Sequence, residues 1–170
     1  MHPSLSYVHG AHDVPLIGET IGPFLARIAA RYPDNEALVV PHQDVRWTYA
    51  QFDDRVTALA AGLLALGLEP GDRVGIWSPN CAEWVLVQFA TARAGLVLVN
   101  INPAYRRAEL EYVLGKVQCA CLILAPAFKS SDYLAMLQDV VPEIRASASA
   151  ETFMSLPDEG ARLRERSDIR

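Results

Sequence analysis

The sequence predicts an α/β fold: a parallel sheet built by strand–helix alternation, preceded by an N-terminal helix and a β-hairpin. Three observations predict it. Short apolar runs at 73–77, 96–100 and 120–124 alternate with helical periodicity over 80–94, 107–117 and 132–140. The links between these segments are short, which calls for right-handed crossovers and a sheet covered on both faces. Upstream, two β-type runs flank Pro41-His42-Gln43-Asp44, the chemistry of a hairpin turn.

The first helix is expected over 22–31, with Thr20 as its cap and Phe24, Leu25, Ile28 and Ala29 on one face. Tyr32-Pro33 stops it, and strands follow at 37–40 and 45–48. Thr48 and Gln51 have the T-x-x-Q spacing of a capping box. Phe52, Val56, Leu59, Ala60 and Leu63 then recur at helical spacing, with Asp53, Asp54 and Arg55 on the other faces. Gly67 suits a left-handed helix end.

Strand 73–77 leads into Asn80 and Glu83, which read as a second capping box for a helix ending at Gly95. That helix is apolar nearly all round (Trp84, Val85, Leu86, Val87, Phe89, Ala90), so it requires packing on more than one side. The expectation is a further layer against it, missing from a chain of 170 residues. Strand 96–100 follows, then helix 107–117 with Leu110, Val113, Leu114 and Val117 on one side. Strand 120–124 and helix 132–140 complete the pattern before Pro142. The expected organisation is an arm over 1–20, a partial subdomain over 21–145 and a divergent tail over 146–170. The tail opens with Ala146-Ser147-Ala148-Ser149-Ala150, ends rich in Asp, Glu and Arg, and is expected to lack fixed structure.

Hydrophobic residues make up 51% and charged residues 21% of the chain, a globular rather than disordered composition. A net charge of -5 argues against nucleic-acid binding. The first twenty residues lack the apolar core of a signal peptide, and no apolar run approaches the roughly 20 residues of a membrane span. Cys81, Cys119 and Cys121 are odd in number, and the close pair has C-x-C spacing; they read as structural thiols of a cytoplasmic, reducing compartment.

The standard nucleotide-binding motifs are missing. No G-x-G-x-x-G occurs, and Gly115-Lys116 has Leu110 and Val117 where a phosphate loop needs Gly and Ser or Thr. There is no G-x-S-x-G and no H-E-x-x-H. His2, His9 and His12 belong to the arm and His42 to the turn, so no metal site is expected; Lys116 and Lys129 read as solvated. Ligands of open α/β sheets gather beyond the carboxyl ends of the strands, which makes Asn100, Asn102 and Tyr105 the candidate substrate-edge residues. The competing reading gives Asn80 to a helix cap and Asn102-Pro103 to turn chemistry.

Read together, several blocks resemble the AMP-forming acyl-CoA synthetase (adenylate-forming) family. They are Tyr32-Pro33-Asp34-Asn35-Glu36-Ala37-Leu38 with Trp47-Thr48-Tyr49, and Gly71-Asp72-Arg73-Val74-Gly75-Ile76 with Pro79-Asn80. Phe89 to Gly95, Asn100 to Tyr105 and Glu109-Leu110-Glu111-Tyr112 extend the likeness. It runs from about residue 6 to residue 144, is nearest to medium-chain fatty-acyl-CoA synthetases, and fades after Arg145. The resemblance implies a two-step reaction: a carboxylate attacks the α-phosphate of ATP with Mg²⁺ assisting, and the thiol of coenzyme A then displaces AMP. It also implies that the chain is incomplete relative to the family's layered fold.

The family's Ser/Thr/Gly-rich phosphate loop, Tyr-Gly…Thr-Glu block, ribose-binding Asp and C-terminal catalytic lysine have no counterpart here. No catalytic residue transfers onto this sequence, and ATP, Mg²⁺ and CoA are not expected to bind this chain alone. Four functional readings stand: a fatty acid–CoA ligase fragment inactive by itself; a module completing a separately encoded ligase or self-associating through exposed apolar helix faces; a piece of an aryl-acid ligase or adenylation domain; and a decayed gene product.

Overall fold

The computed structural model describes Gly10 and residues 15–142. The tail expected over 146–170 lies outside the described residues, as do His2, His9, His12 and most of the arm. Helix α1 (Ile21–Arg31) starts one residue before its predicted position. Thr20 occupies the cap position, but its side chain makes no capping hydrogen bond.

Strands β1 (Glu36–Val40) and β2 (Val45–Thr48) pair antiparallel around a short 3-10 turn at Pro41–Gln43. Asp44 closes that turn in the left-handed conformation, φ 54°. The capping box of α2 (Tyr49–Ala65) forms as its spacing predicts. Gln51 N–H donates to Thr48 Oγ1 at 3.3 Å, and Thr48 N–H donates to Gln51 Oε1 at 3.0 Å. Gly67 then turns the chain at φ 84°.

Strand β3 (Arg73–Trp77) spans its predicted residues and is the centre of a three-stranded sheet. It is flanked by β4 (Val97–Ile101) and β5 (Cys121–Leu124), both parallel to it, in the order β4-β3-β5. Helix α3 (Ala82–Ala94) joins β3 to β4, and α4 (Arg107–Val117) joins β4 to β5. The path steps outward from β3 and then back across it, so two connections of one hand must lie on opposite faces.

They do. Val74 packs with Ala60, Leu63, Ala90 and Ala94 of α2 and α3. Trp77, on the other face by strand alternation, packs with Leu110 of α4. A two-residue hairpin, β6 (Ala127–Phe128) and β7 (Ser131–Asp132), leads into α5 (Tyr133–Val140). Sequence spacing missed that hairpin. Asp132 caps α5, its Oδ1 accepting from Ala135 N–H at 2.8 Å.

The expectation of a missing layer over α3 is overturned. None of residues 82–94 is exposed, because α3 lies between the sheet and a layer made by α1, α2 and β1. Leu25, Val40, Trp47, Phe52 and Val56 share one buried cluster with Ala82 and Leu86. Helix α1 comes so close that a Cβ on Gly22 would sit 3.2 Å from Arg93 Cα. Arg93 in turn pairs with Asp53 and donates to its carbonyl at 3.0 Å, which locks α3 to α2. This sandwich accounts for the all-round apolar helix, with Trp84, Val85 and Phe89 left half-buried.

Candidate functional site

The carboxyl ends of β3, β4 and β5 are where an open α/β sheet collects ligands. The three predicted edge residues all lie on or beside β4. Asn100 is exposed, opposite Ile76 in the ladder. Asn102 is turn chemistry: its Oδ1 accepts from Ala104 N–H at 2.9 Å, and its carbonyl accepts from Tyr105 N–H at 3.0 Å. Tyr105 lines a shallow groove of about 310 Å³ on α4 together with Ala108, Glu109, Tyr112 and Val113. Asn102 and Tyr105 are therefore joined through one turn, while Asn100 stands on the strand before it.

That turn is held from behind by residues that sequence reasoning did not single out. Trp77 Nε1–H donates to Asn102 O at 3.1 Å, and Tyr133 O–H donates to Pro103 O at 2.5 Å. The two rings stack with centroids 3.8 Å apart and planes 12° from parallel. Arg106 donates to Ser131 Oγ, tying the start of α4 to β7. Burial raises the Tyr133 phenol above its ordinary range, with the charge of Arg106 opposing. The indole of Trp77 was legible only as a strand end, and Tyr133 only as the start of a helix.

At the end of β3, Ser78 is buried, its Oγ 2.9 Å from Pro79 O and 3.3 Å from Cys81 Sγ. Cys81, not Asn80, is the N-cap of α3, so the predicted Asn80–Glu83 box is wrong. Glu83 falls one residue short of the position a capping box needs. Its carboxylate instead accepts from Gln43 Nε2 at 2.8 Å, and Gln43 Oε1 accepts from Ala82 N–H at 2.7 Å. Burial pushes the Cys81 thiol up; the Ser78 hydroxyl opposes this and Glu83 adds to it. That environment keeps the thiol protonated, so it disfavours nucleophilic chemistry.

A second, polar cleft of about 450 Å³ lies between the hairpin turn and the starts of α2 and α3, lined by Gln43, Arg46, Trp47, Gln51, Arg55 and Glu83 among others. The Arg55 guanidinium lies 4.7 Å over the Trp47 ring. Gly115 and Lys116 sit inside α4, a helix rather than a loop, and Lys116 Nζ is 5.9 Å from the Tyr112 ring. Among the described residues, no three His, Cys, Asp or Glu side chains gather as a divalent cation needs.

The family is decided by comparison with known proteins. The model of the AMP-binding enzyme family matches residues 25–166. The chain belongs to the AMP-binding enzyme family. The match runs past Arg145, where the likeness of the sequence blocks was expected to fade.

Among its AMP-binding relatives, the mitochondrial medium-chain acyl-CoA ligase ACSF2 of Mus musculus is 46% identical over 155 residues. The Homo sapiens ACSF2 is 48% identical over 155 residues. Both alignments take in 91% of this chain and 25% of the relative, so the chain spans a quarter of the length of the curated relatives it matches. The crystal structure of the N-terminal domain of FACL13 from Mycobacterium tuberculosis superimposes with a TM-score of 0.63 at 32% identity, covering 76% of this chain and 31% of that one. The apo structure of Mycobacterium smegmatis MbtA gives 0.64 at 32% identity, over 76% and 24%. The chain thus belongs with the AMP-binding enzymes and shares the fold of the FACL13 N-terminal domain.

Proposed function

We propose that this chain is the scaffold portion of an ATP-dependent fatty acid–CoA ligase and does not form an acyl-adenylate by itself. The observation that carries this reading is the state of the sheet's carboxyl edge. At that edge Asn102 Oδ1, Ser78 Oγ and the Ala82 amide are used in a turn, a local contact and a helix cap, while Asn100 and Tyr105 are exposed. Adenylate formation needs donors aimed at the charge that develops on phosphorus, and a group already engaged would have to break its bond first. The 46% identity with ACSF2 supports a fatty acid as the family's substrate, with ATP, Mg²⁺ and CoA as its co-substrates and cofactor.

In this reading, residues 1–20 are an arm, 21–145 the partial subdomain and 146–170 a tail, into which the family match extends as far as residue 166. The cytoplasmic placement belongs to the same reading, although the mouse and human relatives are mitochondrial by name; fractionation of the source cells tests it. No helix among the described residues is long and apolar enough to cross a membrane.

ATP–pyrophosphate exchange tests the proposal. The purified chain with Mg²⁺ and octanoate is expected to give exchange no faster than a protein-free blank. Exchange that rises with protein concentration and is lost without fatty acid overturns it.

A second reading, an assembly module that docks on a separately encoded remainder, is favoured by the exposed aromatic groove of Tyr105 and Tyr112, 36% and 67% exposed. Its mark is ligase activity that appears only when the remainder is added. An aryl-acid or adenylation-domain origin is separated by substituting aryl acids in that reconstituted assay. A decayed gene product is distinguished by inertness in every arm.

A further inference from the structure

The side chain of Gln43 does something no local spacing suggests. Helix α3 begins at the carboxyl end of β3, and the side chain of Cys81, its N-cap, makes no capping hydrogen bond. The first-turn amide of Ala82 would otherwise be an orphan donor. Gln43, 39 residues away in sequence, takes the missing part: its Oε1 accepts from Ala82 N–H at 2.7 Å. Its Nε2 donates to Glu83 at 2.8 Å, so both ends of one amide grip two successive residues of the helix start.

The grip is anchored at its other end. Gln43 is the last residue of the 3-10 turn, and the hairpin is rooted by Val40 and Trp47 in the same buried cluster as Ala82 and Leu86. The link Ser78–Cys81 therefore has two fixed ends. Trp77 is held by the sheet, and Ala82 by the hairpin. Both residues are fully buried.

We propose that Gln43 is a positioning residue for the carboxyl edge of β3: the hairpin turn, through this one side chain, sets where residues 78–81 sit. The inference goes beyond the ligase reading and leans on it only for the expectation that this edge faces a ligand. Amide exchange needs no substrate, so failure of the latch leaves the ligase reading standing, and failure of the ligase reading leaves the latch.

The experiment is residue-resolved amide hydrogen exchange on the 170-residue chain, comparing Gln43→Ala, Gln43→Glu and the double variant Gln43→Glu/Glu83→Gln. In Gln43→Ala the Ala82 amide should exchange about tenfold faster, while amides in the second half of α3 stay unchanged, as local opening demands. Gln43→Glu sets two carboxylates face to face in a cleft that also holds Asp44, Arg46 and Arg55, and should free the same amide. The double variant reverses the direction of the side-chain hydrogen bond. The amide now stands on α3 and donates to the carboxylate on the hairpin turn, which still accepts from Ala82 N–H. Protection should return to within about threefold of the parent.

A Gln43 that only fills space cannot produce that rescue. The proposal fails if Gln43→Ala leaves Ala82 protected, if exchange rises evenly along α3, or if the double variant is no better protected than Gln43→Glu. Should Gln43→Glu fold poorly, the alanine and double variants still decide.

Discussion

Trp77 and Tyr133 stack face to face at 3.8 Å while each donates a hydrogen bond to a different carbonyl of one turn, Asn102 and Pro103. Both side chains are fully buried, so each polar atom must find a partner inside the protein. The turn after β4 supplies both acceptors. In this way the last residue of β3 and the first of α5 fix the backbone of a loop that belongs to neither. The pair also joins the sheet to α5, the last helix described.

Removing only the Tyr133 hydroxyl separates these roles. Tyr133→Phe keeps the stack but leaves the Pro103 carbonyl unpaired, and should cost about 1 kcal/mol. Tyr133→Ala removes the ring as well and should cost about 3–5 kcal/mol. Urea denaturation followed by far-UV circular dichroism measures both. Equal losses in the two variants would mean that the ring contributes nothing, contrary to its burial.

Much of the fold was legible because its signals are local. Strand β3, the Thr48–Gln51 box, and the stops at Gly67 and Gly95 follow from nearest-neighbour chemistry. The failures come from distance. Asn80 and Glu83 satisfy a spacing rule, yet the chain enters the helix one residue later, at Cys81, and the capping comes from Gln43 across the fold. The all-round apolar α3 was read correctly as doubly packed. Its second layer is not legible in the sequence, because periodicity does not say that α1 and α2 fold back over it. At the candidate site, Asn102 is decided by its Asx-type bond to Ala104, a pattern that Asn-Pro already suggests. The Trp77–Tyr133 clamp joins residues 56 positions apart in the chain, and no motif encodes it.

The Arg93–Asp53 pair should behave asymmetrically. Its side chains are 18% and 24% exposed, between the surface and buried regimes. Asp53→Ala leaves a largely covered guanidinium with only the Asp53 carbonyl and Thr57 Oγ1 as acceptors. We expect a loss of about 1–2 kcal/mol. Arg93→Met removes the charge and keeps the aliphatic packing against α2, so its loss should be smaller. A double-mutant cycle in 0.1 M and 1 M salt checks the order; a larger loss for Arg93→Met contradicts it.

Gly75 is constrained by neighbours rather than by its backbone angles. A Cβ there would meet Leu122 Cδ1 at 3.0 Å, Cys119 Sγ at 3.1 Å and Ile101 Cδ1 at 3.3 Å. These three lie around the central strand, where little can yield. Gly75→Ala should therefore destabilise by about 1–3 kcal/mol through overpacking. The companion change Leu122→Ala, which opens space at the nearest contact, should make the added methyl less costly in the double variant than alone. Additive losses would show that the clash lies elsewhere.

The three free thiols make a prediction about alkaline pH. Burial raises all of them, and Cys121 most clearly, from 9.0 to about 11, with Cys119 adding to the effect. Between these two values the folded state holds a proton that the unfolded state has released. Stability from Cys121 is therefore fully present below about pH 9 and is lost as pH rises toward about 11. Denaturation midpoints measured across this range should fall, and the slope should flatten in Cys121→Ala whatever that variant's starting stability. Alkylation gives a second readout, because the reactive species is the thiolate. At pH 8, iodoacetamide should label Cys121 in the folded chain far more slowly than in urea. Labelling at the unfolded rate, or an unchanged slope in Cys121→Ala, would show that the thiol beside β3 is not shielded as its packing requires.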